Sequence, residues 1–362
     1  MEEDKMSQLP DDILLLILDK TDIFEAVKTS ILSHRWKNLW RLLPSLRFHH
    51  CRSELVSQLL SHREATSTSA VHDFHLSSLD TDTDTEFMEE CVLYATSHGV
   101  QSLRLHSKCT ITLPQAFISC TTLRELQLTQ LHSSVELPGR LSLPNLKTFH
   151  LETHLFFNDE HYNMEPFSGL PELEKLTIIG YCFPIDGLVI KAPKLRVLEI
   201  AESPKVKEIY TPLLTSFRYE SYEAWECANV NLPMLEHVYL DIHETRYCLN
   251  FVHQNFVRML HQFGNASTVF LTLDTLKVLE RNGGPFEQTP SPFPNMKCLK
   301  VMEGRNRITK LYRGVMNYLR GPLYCKVEFS CGVDFVEQIS NEDKDKDNYE
   351  KKIAGSKDIG FT

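Results

Sequence analysis

From about residue 70 the chain repeats one short pattern of apolar and polar positions, apolar-x-x-apolar-x-apolar. It reads Val71-x-x-Phe74-x-Leu76, Val100-x-x-Leu103-x-Leu105, Leu123-x-x-Leu126-x-Leu128, Leu146-x-x-Phe149-x-Leu151 and Leu173-x-x-Leu176-x-Ile178. It continues as Leu195-x-x-Leu198-x-Ile200, Leu214-x-x-Phe217-x-Tyr219, Leu235-x-x-Val238-x-Leu240, Ala266-x-x-Val269-x-Leu271 and Met296-x-x-Leu299-x-Val301. The central residues follow one another at intervals of 19 to 31, most of them in the range of a leucine-rich repeat. Pro144, Pro171, Pro193, Pro212, Pro233 and Pro294 each stand two residues before the first apolar position. Proline lacks the ladder donor, so this phase predicts a strand beginning at each. Six prolines in phase argue against unrelated strands of a sandwich. The expected fold is an α/β solenoid whose strands stack into a curved parallel sheet.

The first fifty residues follow a different period. Pro10 suits a first helical position, with Asp11 and Asp12 in the first turn and Leu14, Ile17 and Leu18 on one face. Asp22 followed by Glu25 predicts a capping box and a second helix with Ala26, Val27, Ser30 and Ile31 on its small, apolar side. Ser33 is expected to cap a third helix, carrying Trp36, Leu39, Trp40 and Leu43 at i, i+3, i+4 and i+7, and Pro44 to stop it. Three helices this short cannot close a core alone. They are either the cap of the following domain or a module that docks on something else.

The segments Leu9-Pro10-Asp11-Asp12-Ile13-Leu14-Leu15-Leu16-Ile17-Leu18 and Ala26-Val27-Lys28-Thr29-Ser30-Ile31-Leu32-Ser33-His34-Arg35-Trp36-Lys37-Asn38-Leu39-Trp40 resemble the F-box of plant F-box/leucine-rich-repeat proteins. The resemblance extends to about residue 330 through Phe87–Leu103 and Asn255–Ala266. The C-terminal FBD domain frequent in that family is not recognisable. The resemblance implies docking on a Skp-family adaptor and, through it, a cullin. It also implies that Leu9, Pro10, Leu14, Ile17, Val27, Leu32 and Trp36 face the adaptor or support that face. The stretch Asp19–Glu25 departs from the family's wording, so adaptor docking is expected to weaken unless Ile23 and Phe24 substitute. The expected division is an F-box at residues 6–48, repeats at 49–337 and a charged, disordered tail at 338–362.

Charge and composition exclude more than they add. A formal net charge of −10 argues against a nucleic-acid partner. The longest aliphatic run, Ile13–Leu18, is far too short for a bilayer, and the acidic start lacks the layout of a signal peptide. Ten scattered cysteines without a C-x-x-C pair read as reduced thiols, so nucleus or cytoplasm is expected. No catalytic constellation, cofactor motif or metal site emerges. His150 and His154 are too far apart on a strand to share an ion. Asp80–Asp84 lacks the glycine and glutamate of a calcium loop, and Asp343, Asp345 and Asp347 fail the same test. Lys28, Arg35, Lys37 and Arg41 form a weak basic cluster read as a solvated helix face.

What remains is a binding surface. The outward strand positions include Arg104, His106, Gln127, His150, Glu152, Lys175, Thr177, Glu199, Arg218, Glu220, His237, Tyr239, Asp241 and Lys300. Lys175, Glu199, Arg218, His237 and Tyr239 fall on successive strands and are the candidates for contact with a target protein. The expected function is that of a non-catalytic substrate receptor in an SCF-type cullin–RING ubiquitin ligase. The alternatives are an F-box-like scaffold outside any ligase and a small-molecule-gated receptor. An enzyme is the remaining reading.

Overall fold

The computed structural model describes residues 8–336 apart from 51, 66–68, 79–84, 110, 115–116, 118, 138–139, 158–164, 181–186, 203–205, 223–226, 228, 244–251, 283–289, 307–309, 322–324, 331 and 333. The expectations for Asp80–Asp84 and for the tail at 338–362 lie outside the described residues. So does the side chain of His154. The chain forms two compact units. One comprises Met1–Arg218 with Trp225–Met234, the other Tyr219–Ala224 with Leu235–Thr362.

The first unit opens with helices α1 (Asp11–Leu18) and α2 (Ile23–Lys28), a 3₁₀ turn at Thr29–Ile31 and a 3₁₀ helix at Trp36–Leu42. Pro10 is the extended residue just before α1, one place earlier than expected. Asp22 caps α2 by accepting the Phe24 N–H at 2.8 Å. Glu25 does not close a capping box. Its carboxylate takes the Lys28 ammonium at 2.6 Å instead. The third helix is 3₁₀ and not α, and Ser33 does not cap it, since Arg35 holds the cap position without a side-chain bond. The apolar spacing still works, because i, i+3 and i+4 share a face in either helix. Trp36, Leu39, Trp40 and Leu43 are all buried. Ile31, expected on the apolar side of α2, is exposed instead.

Pro44 stops the helix but does not end the pattern. Leu43-Pro44-Ser45-Leu46-Arg47-Phe48 repeats the apolar-x-x-apolar-x-apolar motif, and all three apolar residues are buried. It forms β1 (Ser45–His49), parallel to β2 (Asp73–Ser78) with Leu46 against Phe74 and Phe48 against Leu76. Helix α3 (Ser53–Glu64) joins them, and α4 (Thr85–Ser97) leads to β3 (Ser102–Ser107). The later strands are β4 (Ile111–Thr112), β5 (Glu125–Leu137), β6 (Thr148–Phe157), β7 (Lys175–Ile179), β8 (Leu188–Lys191), β9 (Val197–Ala201) and β10 (Val206–Tyr210). The main sheet of this unit is parallel, in the order β1-β2-β3-β5-β6-β7-β9. Its register holds the apolar ladder level, Leu103 to Leu126 to Phe149 to Leu176 to Leu198. After β7 the repeats become shorter, with central residues 19 to 22 apart. Strand β11 (Ser216–Ser221) straddles the two units. With β12 (Asn229–Asn231), β8 and β10 form a second, small parallel sheet, which the repeat pattern did not announce.

The phased prolines sit slightly earlier than expected. Each occupies a turn, not the strand itself. The Leu146, Leu173, Leu195, Leu214 and Met296 N–H groups donate to Leu143, Leu170, Ala192, Thr211 and Phe293 carbonyls, closing four-residue turns with proline second. There the fixed φ is an advantage and no N–H is required.

The second unit continues the pattern from the end of β11 with β13 (His237–Ile242), β14 (Thr268–Thr272), β15 (Cys298–Met302) and β17 (Lys326–Phe329). These are parallel, and Val238, Val269, Leu299 and Val327 form a level row. A small sheet pairs β16 (Lys310–Tyr312) with β18 (Asp334–Val336). Helices α5 (Val252–Gln262), α6 (Leu273–Asn282) and α7 (Arg313–Arg320) complete it. Two positions expected to point into solvent, Thr177 and Asp241, are buried. Thr177 is short enough to lie under Glu199 of the next strand, to which it donates at 3.1 Å. Asp241 accepts from Thr272 at 2.7 Å.

Candidate functional site

The N-terminal helices leave much apolar surface uncovered. Helix α1 turns Leu14 and Leu18 inward, so Ile13, Leu16 and Ile17 are left outside. The 3₁₀ turn after α2 carries Ile31 at 88% and Leu32 at 64% exposure. Exposed apolar clusters of this kind mark candidate interaction surfaces. Of the seven residues expected at this face, Pro10, Ile17 and Leu32 are exposed and Leu9 and Val27 half-buried. Leu14 and Trp36 are buried and can only support it. Ile13, Leu16 and Ile31 belong to the face but were not named. Their exposure depends on which side of each helix the 3₁₀ segment covers, and the apolar spacing alone does not say.

The face is held on the first repeats by polar contacts. Arg63 of α3 is fully buried and donates to the Arg41 carbonyl at 3.0 Å, the Leu43 carbonyl at 2.9 Å and the Tyr94 hydroxyl at 2.9 Å. Two of these acceptors belong to the C-terminal end of the 3₁₀ helix, where carbonyls have no partner within the helix. Arg47 of β1 donates to the Asp19 carbonyl and pairs with Asp73 at 3.2 Å. Asp22 accepts from the His49 N–H at 3.0 Å as well as from Phe24. Phe24 meets Phe48 edge-on at 6.1 Å, and Ile23 is buried. Ile23 is thus turned inward, while the half-buried Phe24 packs on the first strand.

The expected target-binding residues divide between the two units. In the first, Lys175 and Glu199 form an ion pair at 3.0 Å, and Arg218 is exposed. In the second, His237 is exposed and Tyr239 half-buried on β13. The strand face is lined by further pairs, Arg104 with Glu125 at 3.5 Å and Lys300 with Glu328 at 3.5 Å. Exposed pairs of this kind contribute little to stability, about 0–1 kcal/mol, and leave charges of both signs available. Among the described residues no helix is long and apolar enough to cross a membrane.

An N-terminal helical module with an open apolar face, followed by one parallel strand per repeat, defines the class: an F-box joined to a leucine-rich-repeat solenoid. Comparison with known proteins agrees. The F-box domain matches residues 6–48. The repeat family described as "FBD-associated F-box protein At5g56370, LRR repeats" matches residues 89–240. The chain thus carries an F-box followed by leucine-rich repeats similar to those of plant F-box/LRR-repeat proteins. It is 29% identical to FBD-associated F-box protein At3g52670 of Arabidopsis thaliana, over 66% of this chain and 59% of that protein. It is 28% identical to F-box/FBD/LRR-repeat protein At3g52680 of the same plant, over 80% of this chain and 65% of that protein. F-box/LRR-repeat protein At3g26922, also from Arabidopsis thaliana, is 28% identical over 65% of this chain and 81% of its own length. The chain therefore spans less than two thirds of the first two relatives. A solved structure, "Crystal structure of TLR13-ssRNA13 complex", overlaps 74% of this chain and 46% of that one at 11% identity, with a TM-score of only 0.29.

Proposed function

We propose that this chain is the substrate-receptor subunit of an SCF-type cullin–RING ubiquitin ligase. The single observation that supports this reading best is the uncovered apolar face at Ile13, Leu16, Ile17, Ile31 and Leu32 within the F-box segment. A Skp-family adaptor covers that face and links the chain to a cullin. The repeat strands hold a target protein, with Lys175, Glu199 and Arg218 in one unit and His237 and Tyr239 in the other as contact residues. The receptor transfers nothing itself. It acts by proximity, since holding a target beside a charged enzyme raises the effective concentration of its lysines.

The reading is tested by calorimetric titration of the full chain with a purified Skp adaptor. Burying a leucine or isoleucine is worth about 1.5–3 kcal/mol. Leu32→Asp and Ile31→Asp are each expected to weaken binding by about tenfold to a hundredfold. Both residues are exposed, so the melting temperature should stay within about two degrees. A wild-type chain that neither binds nor co-elutes would support the scaffold reading instead. That reading has one observation in its favour, the engagement of Asp22 and Phe24 with the first strand.

A further inference from the structure

The second unit contains a buried polar cluster that the ligase reading does not use. His243 follows β13 and is 4% exposed, with its N–H tied to the Ser221 carbonyl at 2.9 Å. Its Nε2 lies 3.4 Å from Asp241 Oδ1, and its Nδ1 lies 3.5 Å from Asp274 Oδ2. Neither nitrogen makes a hydrogen bond among the described residues. One donor atom from each of Glu220, Asp241 and His243 falls within 4.8 Å of the others.

Asp274, in the first turn of α6, is fixed from the far side. It accepts the Arg305 N–H at 2.6 Å, the Asn306 N–H at 3.2 Å and the Asn306 side-chain amide at 2.7 Å. The loop comes this close because residue 304 is glycine. A Cβ there would stand 2.3 Å from Asp274 Oδ2.

A neutral imidazole carries one N–H but here faces carboxylates on both edges. With Nδ1–H turned to Asp274, the Nε2 lone pair faces the Asp241 carboxylate, and two acceptors repel unless a cation lies between them. Counting Glu220, Asp241 and Asp274 against Arg305 leaves two negative charges, and Arg305 is already held by Glu220 at 2.5 Å. We propose that Glu220, Asp241 and His243 bind one divalent transition-metal ion of the zinc type, with Asp274 orienting the imidazole from behind. A histidine ligand whose other nitrogen donates to a carboxylate is the usual arrangement around such metals. A proton on Nε2 would satisfy the Asp241 contact alone. The third donor, Glu220, favours a metal, because coordination needs three or more atoms converging on one point. In a tetrahedral site with bonds of about 2.0–2.1 Å the ligand atoms stand about 3.4 Å apart. The partly exposed Glu220 needs only a small side-chain rotation to close that gap, and its two oxygens can serve Arg305 and the metal together. Calcium asks for six or more oxygens and magnesium for an octahedron of them, so an imidazole with two carboxylates suits neither. The ion would tie the end of β11, the end of β13 and, through Asp274, the loop at Glu303–Asn306 into one structural clamp.

The test uses the full chain, stripped with a chelator and then titrated with zinc and, separately, with cobalt(II). One ion per chain is expected, together with a rise of several degrees in melting temperature. Glu220→Gln and His243→Gln should each weaken zinc binding at least tenfold, and Asp274→Asn by tenfold to a hundredfold. If His243→Gln fails to fold, Glu220→Gln, at the more accessible ligand, decides alone. The cobalt spectrum should lack thiolate charge-transfer bands. Stoichiometric binding that survives both ligand variants, or that shows those bands, would place the ion on cysteines or other histidines and overturn the proposal. So would a wild-type chain that takes up no metal while His243→Gln lowers its stability, since His243 would then be a proton-bridged ion pair.

Discussion

Arg63 is a cation folded into the interior, and its acceptors include two main-chain carbonyls and a phenol. Each buried acceptor left without a donor costs about 1–3 kcal/mol, so Arg63→Leu should destabilise the first unit by roughly 3 kcal/mol or more. Lysine cannot reach all three acceptors from one nitrogen, so Arg63→Lys should recover only part of that loss. Urea denaturation of the two variants checks both values. Neither the buried arginine nor the His243 cluster was legible in the sequence. Arg63 sits in a helix of low amphipathicity among other polar residues. The cluster joins positions 220, 241, 243, 274 and 305, which come together only once parallel strands stack. Glu220 and Asp241 were recognised as strand residues of the outward phase, but nothing in the spacing marked the glycine that lets Asp274 approach.

At the scale of elements, the ten repeat strands were legible because three apolar positions recur in phase, in six of them with a turn proline. Strand β1 was not, although Leu43, Leu46 and Phe48 obey the same pattern, because Pro44 reads equally well as a helix stop. The small sheet of β8, β10 and β12 was missed because strands of three to five residues leave too few positions for a period to show. The seam between β1 and β2 has a testable property. His75 lies 4.8 Å edge-on from His49, and burial first, then His49 and Arg104, and to a lesser extent Arg47, hold its imidazole below the ordinary value despite Asp73. A lowered pKa in the folded state means that the unfolded chain binds more protons near pH 6. Stability is therefore full above the unfolded value of about 6.5 and falls as the pH drops toward the folded value. Acidification from pH 7.5 to pH 5 should lower the melting temperature of His75→Gln less than that of the wild type. Equal losses would locate the acid sensitivity elsewhere.

For the whole molecule, a solenoid is stabilised by contacts between neighbours and does not unfold as one cooperative block. Trp36 and Trp40 are buried in the F-box and report on that end of the chain. Trp225 lies outside the described residues and can be replaced by Phe to leave those two signals. Their fluorescence and the far-ultraviolet circular dichroism should then give different urea midpoints. Coincident midpoints would mean that the repeats and the F-box unfold as one.

Under the proposed function, deleting the F-box is the obvious way to make a receptor that still grips its target but no longer delivers it. The match at residues 6–48 suggests where to cut, but that cut removes almost all of β1. Strand β2 would become a bare edge with an open row of backbone donors and acceptors, an invitation to self-association. Phe74 would lose the ring of Phe48 at 5.6 Å, and Arg63 would keep its charge in the interior with two of its acceptors gone. A truncated chain of this kind would report on aggregation as much as on lost ligase recruitment. Substituting Leu32 at the surface is the cleaner separation of the two proposed roles.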